Sequence, residues 1–145
     1  MNPNMPDVGY SAYEAGSPNI VAITGLNASI DWLEKNDVYN EELKVTHYLI
    51  EQLSKLNNIK LFLPENYTKK IFGVVSIGVE KYSSEEVGKI LNDEFDIAVR
   101  TGFHCAPLVH DFIGSMVYNG TVRISLNYFN TFEDIDNLIT ALKSL

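Results

Sequence analysis

The stretch Val99-Arg100-Thr101-Gly102-Phe103-His104-Cys105-Ala106-Pro107-Leu108-Val109-His110 gathers the only cysteine of the chain and two of its three histidines. A second arginine, Arg123, follows in Gly120-Thr121-Val122-Arg123-Ile124-Ser125. A thiol flanked in sequence by cations is suited to nucleophilic chemistry, because the thiolate is the reactive form and nearby positive charge favours it. Gly102 lets the loop before Cys105 adopt backbone shapes that other residues resist. Pro107 suits the first position of a short helix, whose N-terminal dipole also favours a thiolate close by. The competing reading is plain: a lone free cysteine is often a small buried apolar residue with no chemistry at all.

Other uses of the same residues are weaker. His104, Cys105 and His110 are three potential metal ligands, but a structural zinc site takes four, usually in spaced pairs, and adjacent residues make a poor cage. A Cys-His hydrolase would need His110 or His47 as the base, and the sequence sets neither ring against the thiol. Arg123 lies between Val122 and Ile124 in a strand-like run, so its side chain points to the face opposite theirs. It serves there either as a surface arginine paired with a carboxylate or as a planar fork gripping a ligand carboxylate through two parallel hydrogen bonds.

The elements that must hold these residues follow from periodicity. Ile20, Ile23, Leu26, Ile30 and Leu33 predict a helix over 20–35, capped by Asn19. Val45, Tyr48, Leu49, Leu53 and Leu56 predict a second over 41–56. Strands are expected at 59–63, ended by Pro64, and at 71–79, where Ile71, Gly73, Val75, Ile77 and Val79 share a face. Ser83 and Glu86 form a capping box for a helix to about Phe95. Short strands are expected at 97–100 and 122–126, and Thr131 caps a last helix whose apolar face carries Phe132, Ile135, Leu138, Ile139 and Leu142. The acidic pairs Glu41-Glu42, Glu85-Glu86 and Asp93-Glu94 read as solvated helix faces. This order predicts an α/β (α+β) fold, a small and mostly antiparallel sheet covered by helices. Residues 1–19, with Pro3, Pro6, Pro18, Gly9 and Gly16, read as extended chain and turns leading in from something larger.

Composition narrows the partners. Of 145 residues, 46% are hydrophobic and 21% charged, which fits a globular domain. A formal net charge of −8 argues against nucleic acid and anionic membrane as partners. No apolar run reaches the ~20 residues of a membrane span, and the N-terminus lacks a signal-peptide pattern. A single cysteine makes no internal disulfide, so a reducing cytoplasm is the expected location.

With these residues in view, Arg100-Thr101-Gly102-Phe103-His104-Cys105-Ala106-Pro107 resembles the active-site loop of the cysteine desulfurases of the class V aminotransferase superfamily. It is most similar to the group with the shorter Arg-x-Gly-x-His-Cys-Ala loop, which includes selenocysteine lyases. Gly120-Thr121-Val122-Arg123-Ile124-Ser125, followed by Tyr128-Phe129-Asn130-Thr131, is similar to that family's next motif. Tyr13-Glu14-Ala15-Gly16-Ser17-Pro18-Asn19 resembles its Glu-x-Gly-Thr-Pro-Asn segment.

The resemblance implies the small C-terminal domain, residues 20–145, of a fold-type I pyridoxal-phosphate enzyme, with 1–19 as a lead-in from an absent large domain. That large domain would hold the Schiff-base lysine, so the chain alone is expected to be inactive and to bind little or no pyridoxal phosphate. The resemblance further implies that Cys105 is the catalytic residue that takes sulfur from L-cysteine, or selenium from L-selenocysteine, as a persulfide while alanine leaves. Arg123 would bind the substrate carboxylate, Arg100 would support the loop and contact substrate, and Ser17, where the family has threonine, would donate to the cofactor phosphate of a partner subunit. No metal is implied. A homodimer and a sulfur-acceptor protein are the implied partners, within sulfur mobilisation and iron–sulfur cluster assembly. The alternative is a stand-alone sulfur-carrier or interaction module in which Cys105 accepts sulfur from another protein.

Overall fold

A computed structural model describes residues 9, 13, 16–65, 67, 71 and 73–145. The chain divides into two compact units, Met1–Asp37 and Val38–Leu145. The first unit contains helix α1 (Ile20–Lys35), started as expected by Asn19, whose side chain accepts from the Ala22 amide at 3.1 Å. No residue of α1 is buried, and Ile20, Val21, Ile23, Leu26 and Leu33 are all more than half exposed. Most of the lead-in, including Tyr10 and Glu14-Ala15 of the Tyr13–Asn19 motif, lies outside the described residues.

The second unit runs α2 (Val38–Leu53), β1 (Ile59–Phe62), β2 (Val74–Val79), α3 (Ser84–Phe95), β3 (Arg100–Gly102), α4 (Pro107–Ile113), a 3₁₀ turn (Met116–Tyr118), β4 (Thr121–Ser125) and α5 (Phe132–Lys143). The four strands form one sheet in the order β1-β2-β4-β3, and every neighbouring pair is antiparallel. The expected α+β architecture is therefore what forms, and the segments at 71–79, 97–100 and 122–126 contribute to one sheet.

Strand alternation divides this sheet into two faces. Val75, Ile77, Val79, Val122 and Ile124 point inward and are buried. They meet Leu49 and Leu53 of α2, Val87 and Leu91 of α3, and Ile135, Leu138, Ile139 and Leu142 of α5 in one core. Both capping boxes form: Ser83 with Glu86 at α3, and Thr131 with Asp134 at α5. The backbone bonds made by the Glu86 and Asp134 carboxylates hold both groups below the usual carboxylate range.

Three boundaries differ from the sequence reading. Helix α2 starts and ends three residues earlier than the stripe suggests, because Leu56 packs on the core from a turn after the helix. The ladder of β2 begins at Val74, after Gly73 at φ +61°, rather than at Ile71; Phe72 lies outside the described residues. β3 covers 100–102 instead of 97–100: Ile97 and Val99 do pack against the core, but the residues that pair with β4 are Arg100, Thr101 and Gly102. One charge assignment is overturned. Glu42 is buried, not solvated, with its carboxylate against Gly73, and burial raises its pKa.

Candidate active site on the open face of the sheet

The register sets one row of side chains straight across the face opposite the core, one end of which Tyr118 covers at Phe62 and Gly78. Phe62 pairs with Ser76, Ser76 with Arg123, and Arg123 with Arg100. Directly opposed residues of an antiparallel pair point to the same face, so the two guanidinium stems stand side by side. Like charges in that position are destabilising unless an anion joins them. Arg123 is half-buried; its Nε is fully buried and has no hydrogen-bond partner, and no carboxylate forms an ion pair with it among the described residues. Of the two roles open to Arg123 from sequence, the surface ion pair is thus not the one formed here.

Beyond β3 the chain turns sharply. Phe103 carbonyl oxygen accepts from the Ala106 amide at 2.9 Å, and the two residues between them, His104 and Cys105, have φ of +50° and +64°. Two positive φ values at the central positions are the signature of a type I′ turn, normally built from Gly, Asn or Asp. Two other residues in the left-handed region cost roughly 1–2 kcal/mol each. The turn leaves Cys105 exposed at its tip, with Arg100 Nη2 3.8 Å from its Sγ. Burial, the bland fate of a lone cysteine, is excluded.

Side chains missed by the sequence reading secure this turn. Ser84, buried at the start of α3, accepts from the Gly102 amide at 3.2 Å and donates to the Asn119 carbonyl at 2.8 Å. Thr121 Oγ1 lies 3.0 Å from His104 Nε2. Gly120, at φ +100°, brings the start of β4 so close that a Cβ there would strike the Gly102 carbonyl. A lone serine at a helix start and a threonine at a strand start carry no sequence signal beyond capping and β-propensity, so only the fold reveals them.

The histidines take positions other than those weighed for catalysis. His110 is buried, with both ring nitrogens engaged: Nδ1 with Ser115 Oγ at 2.7 Å and Nε2 with the Phe103 carbonyl at 3.0 Å. It is neither a free base nor a ligand. His47 is exposed on α2 and lines a cleft with Ile50, Glu51, Ser54, Lys55 and Tyr67, none of them from the cysteine loop. His104 has its Nδ1 buried without a partner, and its pKa is lowered, first by burial and then by Arg123, Arg100 and His110. No group of three or more His, Cys, Asp or Glu side chains able to hold a metal occurs among the described residues.

Of the expected site residues, the fold brings together Cys105, Arg100 and Arg123. Ser17 lies in the other unit, exposed, two residues ahead of the α1 cap. Pro107 does open a helix, α4, but it is only 7 residues long.

An antiparallel sheet covered by helices on one face, with Cys105, Arg100 and Arg123 brought together, can be set beside known proteins. Residues 7–138 match the aminotransferase class-V family, and the chain belongs to that family. Among curated relatives it is 34% identical over 139 residues to the cysteine desulfurases of Escherichia coli O1:K1 and Escherichia fergusonii, covering 92% of this chain and 32% of each relative. Among solved structures, the cysteine desulfurase of Thermococcus onnurineus NA1 superposes with a TM-score of 0.78 at 34% identity, over 94% of this chain and 34% of that one. A NifS-like protein of Rickettsia africae shares the fold, with a TM-score of 0.72 at 23% identity. The chain thus spans about a third of the length of the relatives it matches.

Proposed function

We propose that this chain is the small, C-terminal domain of a pyridoxal-phosphate-dependent cysteine desulfurase, with Cys105 as the sulfur acceptor. The observation that carries the reading is the Arg100–Arg123 pair, opposed across β3 and β4, with Arg100 Nη2 3.8 Å from Cys105 Sγ. Two guanidinium groups, one with a buried unpartnered Nε, form a receptor for a carboxylate. A thiol at its rim reaches a sulfur carried on the same small molecule. Cysteine has both groups.

The donor set around Cys105 fits the substrate, not the cofactor. No lysine occurs between Arg100 and Ser125, so β3, β4 and the loop between them offer no amine for a Schiff base. Pyridoxal phosphate supplies an electron sink that weakens the substrate carbon–sulfur bond. In this reading it is held by a large domain to which 1–19 leads, and Ser17 donates to its phosphate across a homodimer. The bare apolar face of α1 supports such a neighbour.

The residues of this chain bind and accept. Arg123 forks the substrate carboxylate. Arg100 spans the carboxylate and the thiol, its Nη2 3.8 Å from Sγ, and so holds Cys105 beside the substrate sulfur. A sulfur–sulfur bond forms as the carbon–sulfur bond breaks, so cysteine plus thiol gives alanine plus persulfide, with no net oxidant. The exposure of Cys105 supports onward transfer to an acceptor protein.

The test separates binding from chemistry with the large domain supplied. Cys105→Ala is expected to bind cysteine and form no persulfide, read by mass spectrometry as loss of the one-sulfur adduct. Arg123→Ala loses hydrogen bonds to a charged group, each contributing roughly 1.5–3 kcal/mol. A fall of about tenfold to a hundredfold or more in kcat/KM is expected, and Arg123→Lys recovers only part because an ammonium has no planar fork. Desulfuration that survives Cys105→Ala, or cysteine affinity unchanged by Arg123→Ala, refutes that residue's role. Without the large domain, the 145-residue chain is expected to release no alanine from cysteine.

A further inference from the structure

We propose that His110 is a positioning residue: its ring fixes the turn that holds Cys105 against Arg100. Its catalytic meaning rests on the reading of Cys105 as sulfur acceptor; its structural content does not.

The thiol sits in a turn whose two central residues are both unfavourable in the left-handed region. Such a turn persists only when its surroundings over-determine it. Its own closing bond, from the Ala106 amide to the Phe103 carbonyl, is a single neutral hydrogen bond. His110 adds a second bond to the same oxygen, from a ring that is buried and cannot swing away. The Phe103 ring packs edge-on against the His110 ring, 5.3 Å between centres, so side chain and carbonyl of Phe103 are gripped together.

The far side of the ring is anchored in turn. A carbonyl only accepts, so Nε2 carries a proton. In the neutral ring Nδ1 then accepts from the Ser115 hydroxyl, 2.7 Å away. Ser115 is itself fully buried, and its backbone is the hub of the return from α4 to β4. Its amide donates to the His110 carbonyl, and its own carbonyl accepts from the amides of Tyr118 and Gly120. Gly114, at φ +73°, makes the reversal that brings Ser115 back under the ring. The chain Gly120–Ser115–His110–Phe103 therefore ties the base of the cysteine turn to the start of the strand that carries Arg123.

The experiment is a double-substitution cycle read by the alkylation rate of Cys105 with iodoacetamide across pH, on the full chain, with no cofactor or substrate present. In the His110 background, Arg100→Ala is expected to slow alkylation at neutral pH by roughly threefold or more, the size of coupling seen between contacting groups. His110→Asn cannot reach the Phe103 carbonyl, and in that background the Arg100→Ala effect is expected to vanish. His110→Gln places an amide donor near the position of Nε2 and is expected to keep it. Ser115→Ala frees the ring and is expected to reduce it, which provides a second route if His110→Asn does not fold. Circular dichroism melts confirm which variants are folded. An Arg100→Ala effect of equal size in wild-type and folded His110→Asn proteins overturns the proposal, and so does the absence of any Arg100→Ala effect in the wild type. Because alkylation needs no desulfuration, a chain that shows the coupling yet forms no persulfide when the large domain, its cofactor and cysteine are supplied refutes the proposed function and leaves the brace standing.

Discussion

The two faces of the sheet are built from alternate residues of the same strands and obey opposite rules. Val75, Ile77, Val122 and Ile124 are buried to 5% exposure or less, among aliphatic neighbours that satisfy them completely. Between them stand Ser76, Arg123 and, one strand over, Arg100, with a half-exposed Val74 beside them. On this side two cations face each other, and the buried Arg123 Nε and His104 Nδ1 have no partner. The inner face has made its contacts within the chain. On the outer face Tyr118 packs over Phe62 and Gly78, but around Arg123 contacts are left unmade, and an unmade contact is what a ligand can complete.

This contrast can be broken from the inside first. Ile77→Ala deletes a side chain with no exposure, and a loss of about 2–5 kcal/mol is expected in urea unfolding. Arg123→Ala, its neighbour on β4, should leave the unfolding midpoint nearly unchanged or raise it, because it removes one of two opposed charges. A midpoint shift as large as that of Ile77→Ala would mean that Arg123 is a core residue.

Gly120→Ala tests the junction of the faces. Its Cβ would collide with the Gly102 carbonyl at a φ of +100°, so destabilisation of about 1–3 kcal/mol is expected. Cys105 alkylation should change with it, since β3 cannot move without the turn.

The outer face also carries a pH signature. His104 has a folded-state pKa lowered by burial and by the two arginines, so the folded protein binds this proton less readily than the unfolded chain. Its contribution is present above the ordinary histidine pKa of about 6.5 and is lost as pH falls through the depressed folded value. Stability should therefore rise with pH across that window, and His104→Asn should flatten the slope. A slope unchanged by the substitution assigns the pH dependence elsewhere. The smallest effect is expected at Val74, 49% exposed on the open face: Val74→Thr should stay within about 0.5 kcal/mol of wild type.

How far the sequence reached follows the same division. Periodicity and capping residues identify the inner face, because burial imposes a repeat: α1, α3 and the start of α5 fall where expected. The same repeat misleads at edges where apolar residues pack without belonging to an element. Leu56 prolonged the stripe of α2, and Ile97 and Val99 drew β3 too early. On the outer face the motif located Cys105, Arg100 and Arg123, but not what holds them. His110 was weighed as ligand or base because residue type suggests chemistry, while its actual partners are a carbonyl and a serine hydroxyl five residues on. Glu42 was misread for a similar reason: charge alone says solvent, and only the close approach of Gly73 says otherwise.

The order of the strands has a consequence for how copies of this chain meet. An unpaired strand edge offers a row of amides and carbonyls onto which another sheet can grow. The two outermost strands here are β1 and β3, of 4 and 3 residues. β1 carries Lys60 and is followed closely by Pro64; β3 ends in a glycine and breaks at once into the tight turn. Neither edge is long enough to template a neighbouring strand. The exposed thiol of Cys105 thus sits at the rim of a β-sheet without that rim becoming a site for fibre-like self-association.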